Sequence, residues 1–421
     1  PSYASFQAAN ASRQAALYVA ANDGMLHAFN GDTGAEMWAF VPSFVLPLMA
    51  KLATDTWDVQ HRYLVDGSPQ TADVFDVTAK VWKTILVGGL NSGGSGYYAL
   101  DVTDPANPKG LWQFCNDSML CANSDANLGL TYGSAIITKR KFDGKWVVIV
   151  TSGINNAPPV APSGNGQGWL YVLDAITGAV LDTQTTGAGS TATPSGFAKI
   201  SAYADSFNTD STALTVYGGD LLGNLWRFDM SVSPPALLLM ATLKDSAGKP
   251  QSITTRPELG LINANRVVFV GTGRYLGLND LVDPSTETPP LPWAYNQSLY
   301  AIKDNNTSYG NPRSVLIQQT LIDSGGTTRT TSTNPVSFAA SSGWFVDFNP
   351  ANKSPGERVN IDPQLVLGTL VLQTNIPNSN ACTVGGDNFL YQFDYATGQY
   401  VSTATGKIVA TRTFGQIAVG N

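Results

Sequence analysis

Charged residues are scarce in this chain. Its 421 residues include 24 Lys and Arg and 31 Asp and Glu, so 13% of the side chains are charged and the formal net charge is −7. Soluble proteins typically carry about 25% charged residues. No basic stretch is present, and proteins that bind nucleic acid need a basic surface to neutralise phosphates. The composition therefore argues against nucleic-acid binding.

Long apolar runs are absent as well. A helix needs about 18 consecutive apolar residues to cross a bilayer, and no such stretch occurs. We therefore expect no membrane span. The chain begins at Pro1 rather than Met and shows no signal peptide. We expect it to be the C-terminal domain of a longer protein.

Cysteine and histidine are rare. Cys115 and Cys121 enclose five residues, a spacing that allows a small disulfide in an oxidising compartment, with two free loop thiols as the alternative. The two histidines, His27 and His61, are distant in sequence, so we expect no zinc site. Cys382 has no evident partner.

What the chain does contain is a repeated phrase. Each copy has a run rich in Val, Ile and Leu, a turn with Gly, Asp or Asn, an alternating strand, and often a D-x-x-T-G turn. This order predicts hairpins, because the turn residues adopt conformations that β-branched residues disfavour. The clear copies are residues 16–38, 84–105, 146–180, 214–230, 267–305 and 380–401. A weaker seventh copy is residues 314–348.

A repeat of about four short strands predicts an all-β fold, a β-propeller. One blade cannot hide both of its apolar faces, whereas stacked blades shield each other. We expect six clear blades, a weaker seventh and long inserted loops in a single domain of residues 1–421. The tryptophans of the repeats are expected to pack between blades. They are Trp38, Trp82, Trp112, Trp146, Trp169 and Trp226.

No catalytic residue or organic cofactor is expected. Asp23, Asp220 and Asp387 recur at equivalent hairpin turns, where an Asp side chain can accept hydrogen bonds from turn amides. His27 is expected to be a packing residue. His61 has no accompanying Ser or Cys motif that would indicate a catalytic group.

The repeats together resemble the C-terminal propeller domain of the PilC/PilY family of type IV pilus biogenesis factors and tip adhesins. The matching blocks, in order, are YVAANDGMLHAFNGDTG, HRYLVDGSPQTADVF, KTILVGGLNSGGSGYYALDVTDP, LGLTYGSAII, VYGGDLLGNLWRFD, SITTRPELG, VFVGTGRYLG, QSLYAI, GWFVDF and ERVNIDPQLVLGTLVLQTNIP. The resemblance spans nearly the whole chain. It implies a modified seven-bladed β-propeller, following an N-terminal region that this sequence lacks.

The resemblance also implies a function. Family members promote pilus extension against retraction and support adhesion, without catalysis. The implied partners are minor pilins and the pilus machinery, and a host-cell or surface receptor. The implied locations are the periplasm, the outer membrane, the cell surface and the pilus tip. We expect contacts through the long irregular segments 151–168, 277–297 and 322–335.

A candidate calcium loop follows from the same resemblance, because family members often carry an EF-hand-like loop before their counterpart of VYGGDLLGNLWRFD. Its candidate ligands here are Asp205, Asn208, Asp210 and Thr212. A calcium loop also needs a Gly for its sharp turn and an acidic closing ligand. Ser211 and Leu214 stand at those positions. We expect weak calcium binding at best, with a calcium-free loop as the alternative.

Two other functions compete with the pilus role. One is a periplasmic or outer-membrane propeller scaffold. The other is a quinoprotein dehydrogenase, whose blades carry similar Trp and D-x-x-T-G signatures. No adjacent Cys pair exists here, and the regular A-x-D-x-x-T-G-x-x-x-W repeat is clear mainly around Trp38. These features disfavour the dehydrogenase.

Overall fold

The computed structural model describes residues 2–54, 61–206, 209–277, 280, 296–377, 386–402 and 405–414. Most of the regular structure in these residues is β-strand, as the repeats predict. The chain forms two compact units. The first consists of residues 1–216 and 229–236, and the second of residues 217–228 and 237–421.

The first unit contains three sheets, which we number along the chain. Neighbouring strands of each sheet are mostly antiparallel, and a short parallel strand ends sheets 2 and 3. Sheet 1 contains Ala16–Ala20, Leu26–Asn30 and Glu36–Phe40. Sheet 2 contains Gln70–Asp76, Val81–Gly89, Gly96–Asp101, Lys109–Cys115 and Asn123–Ser124. Sheet 3 contains Val180–Thr185, Trp169–Asp174, Trp146–Thr151, Ile136–Arg140 and Thr212–Ala213.

The second unit contains two sheets, numbered 4 and 5. Sheet 4 contains Glu258–Ile262, Asn265–Gly271, Ser298–Lys303, Gly343–Asp347 and Ile317–Gln319. Sheet 5 contains Leu321–Asp323, Thr328–Thr331, Ala410–Phe414, Asp387–Asp394, Thr369–Ile376 and Arg358–Val359. The strand Gln364–Val366 also pairs with Thr369–Ile376. The first unit also contains the strand Ile200–Tyr203. The chain changes unit within three further strands, Thr215–Gly219, Asn224–Asp229 and Ala236–Thr242.

Helices are short and few in the described residues. Tyr3–Ala9 begins after Ser2, whose side chain accepts a hydrogen bond from the Ser5 amide. Leu46–Met49 continues into the 3-10 turn Ala50–Ala53. The other 3-10 turns are Asn91–Gly93, Pro312–Ser314, Pro350–Asn352 and Thr405–Lys407. Across the described ranges, no helix has the length and apolar character needed to span a membrane.

The weak seventh repeat does not form a sheet of its own in the described residues. Ile317–Gln319 and Gly343–Asp347 belong to sheet 4. Leu321–Asp323 and Thr328–Thr331 extend sheet 5 at its outer edge. The stretch therefore contributes strands to two neighbouring sheets, and the count of seven blades stays a prediction.

Tryptophans join neighbouring sheets within each unit. In three places an indole N–H on one sheet donates to a backbone carbonyl in the turn before the last long strand of the next sheet. These pairs are Trp38 with Pro105 at 2.7 Å, Trp112 with Ala175 at 3.0 Å and Trp344 with Tyr395 at 3.1 Å. The packing role predicted for Trp38 and Trp112 is thus seen directly, and Trp344 shares it.

The turns that receive Trp112 and Trp344 are shaped by their Asp, Thr and Gly residues. Asp174 Oδ1 accepts hydrogen bonds from the amides of Ile176 and Thr177, at 3.0 and 2.9 Å. Gly178 follows with φ +69, a left-handed conformation that favours glycine. The D-x-x-T-G sequence therefore forms a hydrogen-bonded turn against which an indole packs.

Candidate functional site

The candidate calcium loop lies between two strands of the first unit. It leaves Ile200–Tyr203 and ends at Thr212–Ala213, which pairs in parallel with Lys139 and Arg140 of sheet 3. The Asp210 amide donates to the Ser206 carbonyl at 2.7 Å, which closes the turn. Asn208, one of the candidate ligands, lies outside the described residues.

Asp210 is the best-placed carboxylate of the loop, and it already has a cationic partner. Its Oδ1 accepts hydrogen bonds from the Thr212 hydroxyl at 2.6 Å and the Thr212 amide at 3.1 Å. The ammonium of Lys139 lies 2.9 Å from the same oxygen. These hydrogen bonds, that of the Thr212 hydroxyl first, lower the pKa of Asp210 to about 2. The carboxylate is therefore ionised, with Lys139 as its counter-ion.

The described part of the loop matches a calcium site only partly. Asp210 and Thr212 are brought together, but through a hydrogen bond to each other. Asp205 is exposed at the start of the loop. Leu214 offers no side-chain oxygen where a calcium loop needs its closing ligand. Within the described residues, no group of three His, Cys, Asp or Glu side chains is arranged to hold a metal ion. Calcium binding stays a prediction.

The recurring turn aspartates differ in their surroundings. Asp220 is fully buried, and its Oδ1 accepts from the amides of Leu222 and Asn224 at 3.0 and 2.8 Å. Its Oδ2 accepts from the Trp226 indole N–H at 2.9 Å. Burial raises the pKa of Asp220 above its ordinary value. Asp220 therefore shapes a turn and lies away from solvent.

Asp23 and Asp387 serve in other ways. Asp23 accepts from the Met25 amide at 3.0 Å, which is the predicted turn role. Asp387 instead begins the strand Asp387–Asp394 and is ion-paired with Arg412 on the adjacent strand. The turn role predicted for Asp387 is therefore wrong, because this aspartate is a paired strand residue opposite Ile376.

His27 lies between two carboxylates. Its Nδ1 is 2.7 Å from Glu36 Oε1 and its Nε2 is 2.9 Å from Asp23 Oδ2. The hydrogen bond to Glu36, followed by that to Asp23, raises the pKa of His27. Both ring nitrogens are thus engaged, and the protonated ring is favoured. This arrangement fastens a hairpin and leaves no ring nitrogen for acid–base work on a substrate.

A buried ion pair lies in sheet 5. Arg329 Nη1 donates to both carboxylate oxygens of Glu357 at 2.8 Å. Glu357 also accepts from the hydroxyls of Thr374, Tyr391 and Ser354, at 2.7, 2.8 and 2.6 Å. All of these side chains are at most 2% exposed. Because the cluster is closed to solvent and its charges are mutually compensated, its role is to hold strands together.

The three predicted contact segments differ. Residues 151–168 form a tightly bonded loop, in which the Asn156 side chain donates to the Gln167 carbonyl at 2.6 Å. Most of residues 277–297 lie outside the described residues. Residues 322–335 are less irregular than predicted, because they contain the strand Thr328–Thr331. The β-branched threonines of T-R-T-T, which favour strands, were the only local signal.

Known proteins share this pattern of repeats. A model of the PilY1 β-propeller domain matches residues 1–236, more than half of the chain. The chain belongs to the PilY1 family. The predicted family and the all-β propeller fold are thereby confirmed.

Individual PilY1 proteins agree with this result. The chain is 33% identical over 444 residues to the type IV pilus biogenesis factor PilY1 of Pseudomonas aeruginosa, covering 94% of this chain and 36% of that protein. A PilY1 homologue of Xylella fastidiosa is 33% identical over 408 residues, covering 94% of this chain and 30% of that protein. The chain therefore spans about a third of the length of these relatives.

A solved PilY1 structure has the same fold. The crystal structure of the Pseudomonas aeruginosa PilY1 C-terminal domain superposes with a TM-score of 0.76 at 29% sequence identity. The match covers 98% of this chain and 90% of that one. The likeness therefore extends over both units of this PilY1-family chain.

One covalent feature of this PilY1-family chain is the bond between Cys115 and Cys121, whose Cα atoms are 5.9 Å apart. The enclosed loop is also shaped by Asp117, whose Oδ1 accepts from the Met119 amide at 2.8 Å. Met119 is 90% exposed at its tip. Cys382 lies outside the described residues.

Proposed function

We propose that this PilY1-family domain acts in type IV pilus biogenesis through contacts with other proteins and without catalysis. The observation that carries the proposal is the match to the PilY1 propeller model. It is supported by relatives that are named type IV pilus biogenesis factors. The proposal concerns the third of these relatives that the chain matches.

The non-enzymatic part of the proposal rests on how the acidic and basic groups are used. Asp220 is bonded to its own turn, and His27 is bonded to Asp23 and Glu36. The Arg329–Glu357 pair is buried. Each of these acidic and basic groups is therefore bonded to other groups of the fold.

The proposed partners are minor pilins and other proteins of the pilus machinery, at the cell surface and the pilus tip. Support comes from a loop that is ordered before any partner arrives. In residues 151–168, the Gly166 amide donates to the Asn156 carbonyl at 3.0 Å and the Leu130 amide donates to the Ile154 carbonyl at 2.7 Å. A preorganised loop loses little entropy on binding. A receptor-binding role at the tip is proposed on the same basis.

Calcium modulation of this role stays a prediction. The Lys139 ammonium is already paired with the Asp210 carboxylate. A divalent ion would have to displace a tethered ammonium.

Deletion of the gene in the source bacterium tests the proposal. Surface pilin would be measured in sheared fractions, with the intact gene restored on a plasmid as the control. We expect a large loss of surface pili that the plasmid reverses. Normal piliation in the deletion strain would contradict the pilus role, and a defect in outer-membrane assembly instead would favour the scaffold.

A further inference from the structure

The hairpin at residues 364–376 ends in an unusual turn. Val366 is paired with Thr369, so Leu367 and Gly368 form a two-residue turn. Leu367 has φ +47 and Gly368 has φ +81. Two central residues with positive φ are the mark of a type I′ turn, whose first position is normally Asn, Asp or Gly. Leucine is strained in this conformation.

Leu367 receives no compensation from burial. Its side chain is completely exposed, at 101% of the reference area, and that of Val366 is 50% exposed. An exposed leucine keeps its apolar surface in contact with water, so it adds no hydrophobic stabilisation to the fold. An asparagine at residue 367 would suit both the backbone conformation and the solvent. The residue therefore contributes nothing visible to this fold.

A second hairpin of the same unit has a typical residue at the first position of its turn. Ile262 is paired with Asn265, which leaves Asn263 and Ala264 as the turn. Their φ values are +48 and +63, again both positive. Here an asparagine occupies the first position. The same turn geometry thus carries the expected polar residue in one hairpin and leucine in the other.

The tip that carries Leu367 is firmly held. The Tyr395 amide donates to the Gly368 carbonyl at 3.1 Å. The Leu365 amide donates to Glu258 Oε1 at 3.2 Å. The apolar side chains at the tip are therefore presented on a preorganised backbone.

We propose that Val366 and Leu367 form a knob that inserts into an apolar pocket of a protein partner, and that this partner is a pilin. The choice of a pilin rests on the proposed function. A convex tip needs a concave partner, and an aliphatic anchor that fills a pocket can form the buried centre of a protein interface. A lipid surface would call for a broad apolar face with basic residues, whereas the tip offers two side chains on a chain of net charge −7.

The first test compares the thermal stability of the purified protein with that of Leu367→Asn. We expect an equal or higher melting temperature for the variant, because asparagine suits the turn. A clear decrease would show that leucine serves the fold and would overturn the proposal.

The second test measures binding of the protein to purified soluble domains of the major and minor pilins of the same bacterium. We expect Leu367→Asn to bind about tenfold more weakly, and Leu367→Met to bind within about threefold of the wild type. Met119→Gln, which removes an equally exposed apolar side chain elsewhere, should bind as the wild type does.

If Leu367→Asn bound the pilin domains as tightly as the wild type does, the proposed insertion of Val366 and Leu367 would be wrong. The proposed pilus role would be unaffected. Failure of the wild type to bind any of the pilins would overturn the choice of partner, whereas the pilus role is decided separately by piliation of the deletion strain. Flotation with phosphatidylglycerol vesicles that depends on Leu367 would overturn the proposal in favour of a lipid.

Discussion

The indole ring of Trp344 lies against Gly398, so closely that a Cβ atom on this glycine would be 2.5 Å from the ring. Trp112 and Gly178 show the same relationship at the same distance in the other unit. In both cases the indole N–H donates to the second residue of the D-x-x-T-G turn. Each of these two glycines is therefore required for two reasons, its positive φ and the space that the tryptophan ring fills.

We predict that Gly398→Ala destabilises the protein by about 2–4 kcal/mol, the sum of a left-handed alanine and an overpacked contact. Gly325→Ala is the matched control, because Gly325 also has positive φ, +86, but a Cβ atom there would have no atom of the described residues within 4 Å. We expect the control to cost about 1 kcal/mol. Denaturant unfolding measures both, and equal costs would contradict the packing account.

Replacement of Glu357 by glutamine should cost about 3 kcal/mol or more, because it leaves the buried Arg329 guanidinium without a compensating charge. Arg256→Gln removes the exposed partner of a looser pair, in which Arg256 Nη2 lies 3.9 Å from Glu258 Oε2. We expect that change to cost less than about 1 kcal/mol. If chemical denaturation gave the two variants similar stabilities, the buried pair would not hold sheet 5 as described.

The contribution of His27 should depend on pH. Its pKa is raised in the folded protein, so the stability that its charged ring contributes is fully present below about pH 6.5 and is lost as the pH rises through the folded-state pKa. The melting temperature of the wild type should therefore exceed that of His27→Gln more at about pH 5.5 than at about pH 8.5. If the difference in melting temperature between the wild type and His27→Gln were the same at both pH values, this charge-dependent role would be ruled out.

Much of the fold could be predicted from local sequence. Hairpins are local, and their turn residues reveal them. The Trp344 contact could not be predicted, because its partner turn at Asp394 lies in the next sheet, about fifty residues away. The A-x-D-x-x-T-G-x-x-x-W spacing around Trp38 relates a tryptophan to a turn of its own repeat. It therefore gives no information about contacts between sheets. The division of residues 314–348 between two sheets was missed for the same reason, since pairing with distant strands leaves no local signature.

The candidate site was harder to predict. Ligand-type residues at residues 205–212 were visible, but the counter-ion Lys139 comes from a different strand. The buried ion pair was missed because Arg329 and Glu357 lie in segments that look polar and irregular. The Leu367 turn did have a signal, a Leu-Gly pair where Asn-Gly is usual. Its exposure became clear only in the structure.

Calcium titration of the loop gives a further prediction. We expect the wild type to bind Ca²⁺ more weakly than about 0.1 mM, in the range of low-affinity extracellular sites. Asp210→Ala should abolish binding because it removes the main ligand. Lys139→Met should strengthen binding because it frees the Asp210 carboxylate. Isothermal titration that detects no heat with any of the three proteins would overturn the calcium prediction.

The central claim is that this propeller domain itself is needed for type IV pili. The most direct measurement is surface pilin in a strain from which the gene segment encoding residues 1–421 has been removed in frame. We expect sheared surface pilin to remain as low as in the complete deletion, and to recover only with the intact protein. Full piliation in the strain with the in-frame removal would contradict the account.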